Sequence, residues 1–167
     1  KTFNGKRAVS DGVDGACFVN LDGSRTKLYY YTRKIIKEMK EFEKVLLPYS
    51  FNKAYFFVPE GKTLLDFDST RRVKNQEECP IKINTPKKPI IVTELVHNDK
   101  KIFMVENIGN PMDGILDGEP ATKIEIYLGE LAQNAKFYRC GKMVKIIPVN
   151  GVITEKMHCG DALFIEV

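Results

Sequence analysis

A single strand-turn-helix unit opens this 167-residue chain, and no later segment repeats it. A short apolar segment, 16–20, leads into an Asp-Gly turn and then into one long helical pattern that ends near Pro48. One such unit cannot build a parallel sheet, because parallel strands come with crossover connections in series. We therefore expect the first third to be the end of a larger assembly, joined to a different kind of domain.

The helical pattern carries one apolar face. Its apolar residues are spaced by three and four positions, which is typical of a helix with one buried side. Ser24 or Thr26 can serve as the N-cap, and Pro48 stops the helix. The face is predicted to be an interface, either with a preceding domain or with a second copy of the chain. Its members are Leu28, Tyr31, Ile35, Met39, Phe42 and Leu46.

The formal net charge of +4 comes mostly from the helix, where lysines and arginines outnumber glutamates. A basic helix can be a nucleic-acid footprint. Because no nucleic-acid recognition motif accompanies it, a solvated outer face is the favoured interpretation, and we predict no nucleic-acid partner.

Beyond Pro48 the apolar period changes from the helical one to two. Short alternating segments recur with turn residues between them, which is typical of an antiparallel sandwich. The sequence predicts a mainly β fold, an immunoglobulin-like or Greek-key β-sandwich preceded by one amphipathic helix. Two units are expected, 1–50 and 51–167. The predicted strands are Ala54–Val58, Pro80–Asn84, Pro89–Val96, Lys101–Asn107, Thr122–Leu128, Phe137–Arg139, Met143–Ile147, Val152–Lys156 and Ala162–Val167, with 62–78 as a long loop.

Several site classes find little support in the sequence. No apolar run approaches 18 residues, so no membrane span is predicted. The four cysteines (Cys17, Cys79, Cys140 and Cys159) form no close pair of zinc ligands. Free thiols are the favoured interpretation, although Cys140 and Cys159 could meet across strands. The loop 11–15 lacks the ligand pattern of a calcium site. We predict no metal or cofactor, and the N-terminus does not reveal the localisation.

Groups for catalysis are also few. His97 and His158 lie in predicted turns, and the chain has neither a nucleophile elbow nor a phosphate-binding loop. We expect this chain not to be an enzyme. Sugar binding would need an exposed aromatic ring, and the chain has no Trp. The candidate ligand-binding residues are Tyr127, Tyr55 and Tyr138.

Three segments together resemble the C-terminal region of bacterial glycoside hydrolases. Residues 18–31, Phe-Val-Asn-Leu-Asp-Gly-Ser-Arg-Thr-Lys-Leu-Tyr-Tyr-Tyr, are similar to the last strand-turn-helix unit of their barrels. Residues 101–107, Lys-Ile-Phe-Met-Val-Glu-Asn, and 159–167, Cys-Gly-Asp-Ala-Leu-Phe-Ile-Glu-Val, are similar to strands of the β-sandwich appended to such barrels.

The resemblance implies a non-catalytic accessory domain that supports an upstream barrel. The catalytic carboxylates of that family lie on earlier barrel strands, so none of them maps onto this sequence. Two alternatives stay open: a carbohydrate-binding module, and an immunoglobulin-like interaction domain of a cell surface.

Overall fold

The computed structural model describes residues 18–19, 22–63, 74–84, 88–108 and 121–167. The loop 11–15, Cys17 and the predicted loop 110–120 lie outside these ranges. Of the predicted first strand, Phe18 and Val19 are described, and Val19 forms an isolated antiparallel bridge with Arg25.

The helix α1 comprises Lys27–Leu46. Thr26 is its N-cap, and the Thr26 hydroxyl accepts a hydrogen bond of 3.3 Å from the Tyr29 backbone N–H. Pro48 follows the last turn, where a residue without a backbone N–H cannot continue the helix. The predicted helix is therefore confirmed over nearly its full length.

Within the described ranges, ten strands follow the helix in two sheets, which confirms a sandwich-like antiparallel fold preceded by a helix. The seven-stranded sheet has the order β2-β1-β4-β5-β10-β7-β8, and the three-stranded sheet has the order β3-β6-β9. The strands are β1 Ser50–Phe57, β2 Lys74–Asn75, β3 Lys82–Ile83, β4 Ile90–His97, β5 Lys100–Asn107, β6 Thr122–Tyr127, β7 Lys136–Arg139, β8 Lys142–Val144, β9 Val152–Met157 and β10 Ala162–Glu166.

Three features differ from the prediction of strands and loops. In place of the predicted strand Met143–Ile147, β8 ends at Val144, and 145–147 is not strand. The region predicted as a loop contains β2, which pairs in parallel with β1, and a short 3-10 helix, Gln76–Glu78. A second 3-10 helix, Gly129–Gln133, follows β6. These elements are short and rich in charged or polar residues, so no apolar period reveals them.

The core lies between the two sheets. Alternate residues of each strand point inward, because successive side chains of a strand face opposite sides of the sheet. The core is formed by Tyr55, Phe57, Cys79, Ile81, Ile83, Ile90, Val92, Phe103, Val105, Ile124, Ile126, Leu128, Phe137, Ile153, Met157, Leu163 and Ile165.

The opposite face of the large sheet carries α1. Phe164 of β10 is buried there, and its ring centroid lies 4.9 Å from that of Phe42. The turn between β7 and β8 approaches the same part of the helix. A methyl group placed on Gly141 would lie 2.6 Å from the Cβ and carbonyl carbon of Glu41. The last turns of α1 thus rest directly on the sheet and on this turn.

Candidate functional site

The first three turns of α1 present an apolar surface to solvent. Leu28, Tyr31, Ile35 and Met39, here called the exposed helix stripe, share one side of the helix with Phe42. Their exposed fractions are 36 %, 64 %, 54 % and 63 %. Leu28 lies about 21 Å before Phe42 along the axis, at 1.5 Å per residue. The apolar side of the helix is therefore packed on the sheet at Phe42 and is exposed from Met39 back to Leu28.

An apolar groove of about 390 Å³ lies on a second side of the same helix. Its lining residues are Phe18, Val19, Tyr29, Thr32, Arg33 and Ile36. Next to it, the Arg25 guanidinium lies 4.7 Å from the centre of the Tyr29 ring, a cation–π contact. Nine of the fourteen large apolar side chains exposed in the described residues fall within 18–47. This concentration makes the strand-turn-helix unit the main apolar surface described.

The charged residues of α1 lie at its flanks and pair along the helix. Lys44 donates to Glu41 at 2.8 Å, and this bond lowers the pKa of the Glu41 carboxyl. Lys34 lies 3.9 Å from Glu38. Pairs of this kind are solvated and contribute little to stability.

The six predicted interface residues thus divide into two groups. Phe42 and Leu46 are partly buried, and Phe42 packs on the sheet. The other four are the exposed helix stripe.

The three tyrosines predicted as ligand-binding residues occupy different environments. Tyr55 is 2 % exposed in the core, so its ring is not available for stacking on a ligand. Tyr138 is half-buried on the helix-bearing face, where its hydroxyl donates to Glu166 at 3.1 Å. Tyr127 is 40 % exposed on the outer face of the three-stranded sheet. Tyr127 is therefore the one of these three candidates whose ring is open to a ligand.

Polar side chains surround Tyr127 on that face. The Tyr127 hydroxyl donates to Glu125 at 3.3 Å, and the Asn84 amide donates to the same carboxylate oxygen at 3.4 Å. Lys123 lies 3.5 Å from the other oxygen of Glu125. We call this face the polar platform. It consists of Lys82, Asn84, Lys123, Glu125, Tyr127, Thr154 and Lys156.

A carboxylate that the sequence analysis did not single out lies at one end of the core. Glu94 is 2 % exposed and accepts hydrogen bonds from Tyr55 at 2.9 Å and Asn52 at 3.1 Å. The Lys101 ammonium lies 2.9 Å from it. Burial alone would raise the pKa of Glu94, but these three donors together hold it below its ordinary value. Burial and the bond to Glu94 raise the pKa of Tyr55.

Glu166 makes a similar arrangement on the helix-bearing face. Lys136 lies 3.0 Å from Glu166, and Tyr138 donates to its second oxygen. Burial opposes ionisation of Glu166, but these bonds lower its pKa overall. Because Glu94 and Glu166 are each engaged by neighbouring donors, their arrangement favours a structural role over acid–base work.

Cys79 and Cys140 are free thiols, in agreement with the favoured interpretation for these two residues. Cys79 is buried, and burial raises the pKa of its thiol to about 11.

The described ranges contain no group of three or more side chains able to hold a metal ion. Among the helices of these ranges, none has the length and apolar character needed to cross a membrane. No family model, curated protein or solved structure matches this chain.

Proposed function

We propose that this chain is a non-catalytic accessory domain of a glycoside-hydrolase-like protein, in which helix and sandwich together support a barrel domain. The observation that most directly supports this proposal is the exposed helix stripe. Its residues continue the apolar face that Phe42 buries on the sheet, and full burial stabilises each such side chain by about 1.5–3 kcal/mol. A partner surface that covers the stripe would thus gain several kcal/mol.

The distribution of apolar side chains favours a domain that flanks the helix over a second copy of the chain. A two-fold contact covers one self-complementary patch. Here Ile35 and Met39 are open on one side of α1, while Tyr29 and Ile36 line a groove on another. A helix in the outer ring of a barrel has neighbours on several sides. The resemblance of residues 18–31 to the last unit of such a barrel points to the same partner.

The test compares the isolated chain with the complete polypeptide encoded by its gene. In both, Ile35 and Met39 are replaced together (Ile35→Gln, Met39→Gln), and Lys40→Gln on the charged side of α1 is the matched control. Glutamine keeps the helix propensity high, so loss of apolar area is the main change. Thermal unfolding and hydrolysis of a panel of aryl glycosides are measured.

We expect the double variant to leave the isolated chain unchanged and to lower the melting temperature of the complete polypeptide by about 2–4 °C per kcal/mol lost. Lys40→Gln should change neither. The proposal is wrong if the gene encodes no barrel domain with this chain. It also fails if the double variant and Lys40→Gln behave alike in the complete polypeptide.

A further inference from the structure

A second surface, independent of the docking proposed above, has the features of a ligand site. We propose that the polar platform binds an acidic oligosaccharide, with one sugar ring on Tyr127 and the acidic groups on Lys123 and Lys156. The site lies on the three-stranded sheet alone, so a test of it does not depend on the role of the helix.

The aromatic part of the site is Tyr127. It ends β6 with its ring on the outer face, because the flanking Ile126 and Leu128 are buried. The Tyr127 hydroxyl is fixed by Glu125 at 3.3 Å, which limits rotation of the ring. An exposed ring held in one orientation offers an apolar face to the C–H side of a pyranose at little cost in entropy.

Acceptors and donors for sugar hydroxyls lie beside the ring. Glu125 is the next outward residue of β6, and Thr154 is its partner across the β6–β9 pair. On the other side, Asn84 directly follows β3, and its amide donates to the Glu125 carboxylate. A carboxylate, an amide and a hydroxyl together can accept from and donate to vicinal hydroxyl groups.

Positive charge concentrates at the far end of the same row. Lys123 and Lys156 are directly opposite each other in the β6–β9 register. Like charges in opposed positions destabilise a sheet. Within the described residues, Lys123 meets Glu125 at 3.5 Å, and no carboxylate lies within ion-pair distance of Lys156. A carboxylate or sulfate between the two ammonium groups would relieve this repulsion.

Spacing sets the size of the ligand. Lys123 and Tyr127 are four residues apart on β6, about 13 Å at the rise of a strand. One pyranose ring cannot contact both ends, so the ligand is an oligosaccharide lying along β6. Glu125 in the middle of the row accepts hydrogen bonds from sugar hydroxyls, which the backbone of an oligothymidylate does not offer.

The test uses the full chain and four probes: a galacturonate tetramer, a heparin tetrasaccharide, maltotetraose and a single-stranded oligothymidylate. Binding is measured by isothermal titration calorimetry and by NMR shift mapping. The variants are Tyr127→Ala, Tyr127→Phe, Lys123→Gln and Lys156→Gln. Tyr30→Ala and Lys62→Gln are controls, because they remove an exposed tyrosine and an exposed lysine elsewhere.

We expect one or both acidic tetramers to bind, with shifts confined to β3, β6 and β9, and maltotetraose to bind at least about tenfold more weakly. Tyr127→Ala should weaken binding about tenfold, and each lysine variant about threefold to tenfold. Both controls should bind as the unmodified chain does, whereas Tyr127→Phe should lose less affinity than Tyr127→Ala, because it keeps the ring but not the hydroxyl bond to Glu125. Affinity should fall between about 0.05 M and about 0.5 M salt, because the contacts are ionic.

Which acidic tetramer binds distinguishes a carboxylate from a sulfate as the recognised group. Equal affinity for maltotetraose and the acidic tetramers would overturn the proposal. So would binding of oligothymidylate at least as tight, shifts on another surface, or the absence of binding to both acidic tetramers.

Discussion

The two ends of α1 carry the same kind of apolar side chain in different surroundings. At the C-terminal end Phe42 packs on Phe164 and the helix backbone meets Gly141, whereas at the N-terminal end Ile35 and Tyr31 are mostly exposed. An amphipathic pattern shows that a face is suited to burial, but not what buries it. In this fold the sheet covers only the last turns, and the pattern extends beyond it.

A substitution in the sandwich core is expected to give the largest loss in the free energy of unfolding, with which the losses at both ends of the helix can be compared. Phe103 is 1 % exposed between the sheets, so Phe103→Ala would leave a cavity as well as lose transfer free energy. We expect the free energy of unfolding to fall by about 3–5 kcal/mol, measured by urea unfolding. A loss below about 1 kcal/mol would mean that the sandwich, unlike the helix stripe, is not the main source of stability.

The docked end of α1 should be sensitive to Gly141. Gly141 has a φ of 71°, and its Cβ position lies 2.6–2.7 Å from backbone atoms of Glu41 and Phe42. In Gly141→Ala the helix has to move or the turn has to distort. We expect a loss of about 2–3 kcal/mol from the clash and the left-handed backbone together.

The matched control for that prediction is Gly160→Ala. Gly160 has a φ of 83°, but no atom outside its chain neighbours lies within 4 Å of its Cβ position. It therefore shares the backbone penalty without the clash. Hydrogen exchange of the last turns of α1 should accelerate in Gly141→Ala alone. Equal effects of the two substitutions would contradict close docking of the helix.

A smaller effect is expected from the buried carboxylate of the large sheet. Because the folded pKa of Glu94 is below its ordinary value of 4.5, its ionised form stabilises the fold above that pH. The contribution is lost as pH falls through the folded pKa. Glu94→Gln should cost about 2 kcal/mol at pH 7 and flatten the decline in unfolding free energy below about pH 5.

Helix variants provide the comparison for Glu94. Glu41 is solvent-screened on α1, so Glu41→Gln should leave the acid dependence almost unchanged. Urea unfolding of both variants between about pH 3 and pH 7 checks this. A steep acid dependence that persists in Glu94→Gln would show that another group is responsible.

The sequence was informative where an apolar period extended over several residues, as in α1, β4, β5 and β6. It could not identify β2, because the two residues of that strand stand in a charged segment without an apolar period. Tyr55 stands in a continuous apolar run, Ala54–Val58, which does not show which side of the strand is buried, whereas Tyr127 alternates with the apolar residues Ile126 and Leu128. The burial of Glu94 could have been predicted, because Glu94 follows Ile90 and Val92 at intervals of two residues and therefore lies on the same, buried face of β4.

For the predicted interface residues, too, the sequence indicated the side of the helix but not which residues are covered. The spacing of Leu28, Ile35 and Phe42 places them correctly on one side of α1. How much of the helix is covered depends on the contacts of its last turns with Phe164 and Gly141. Those are tertiary facts, so the sequence could not divide the stripe into a covered part and an open part.

The smallest expected effect concerns that open part in the isolated chain. Ile35→Gln combined with Met39→Gln should change the free energy of unfolding by no more than about 0.5 kcal/mol, because both side chains are already more than half exposed. Binding of an apolar fluorescent dye should nevertheless fall, since the double variant removes half of the stripe. Phe42→Ala is the contrasting variant, because it removes the ring that packs on Phe164, and it should destabilise the chain measurably. If the double variant instead unfolds as easily as Phe42→Ala, the exposed and docked ends of the helix contribute alike to the isolated fold. The stripe would then already be packed within this chain, and its burial by a neighbouring domain would add little stability.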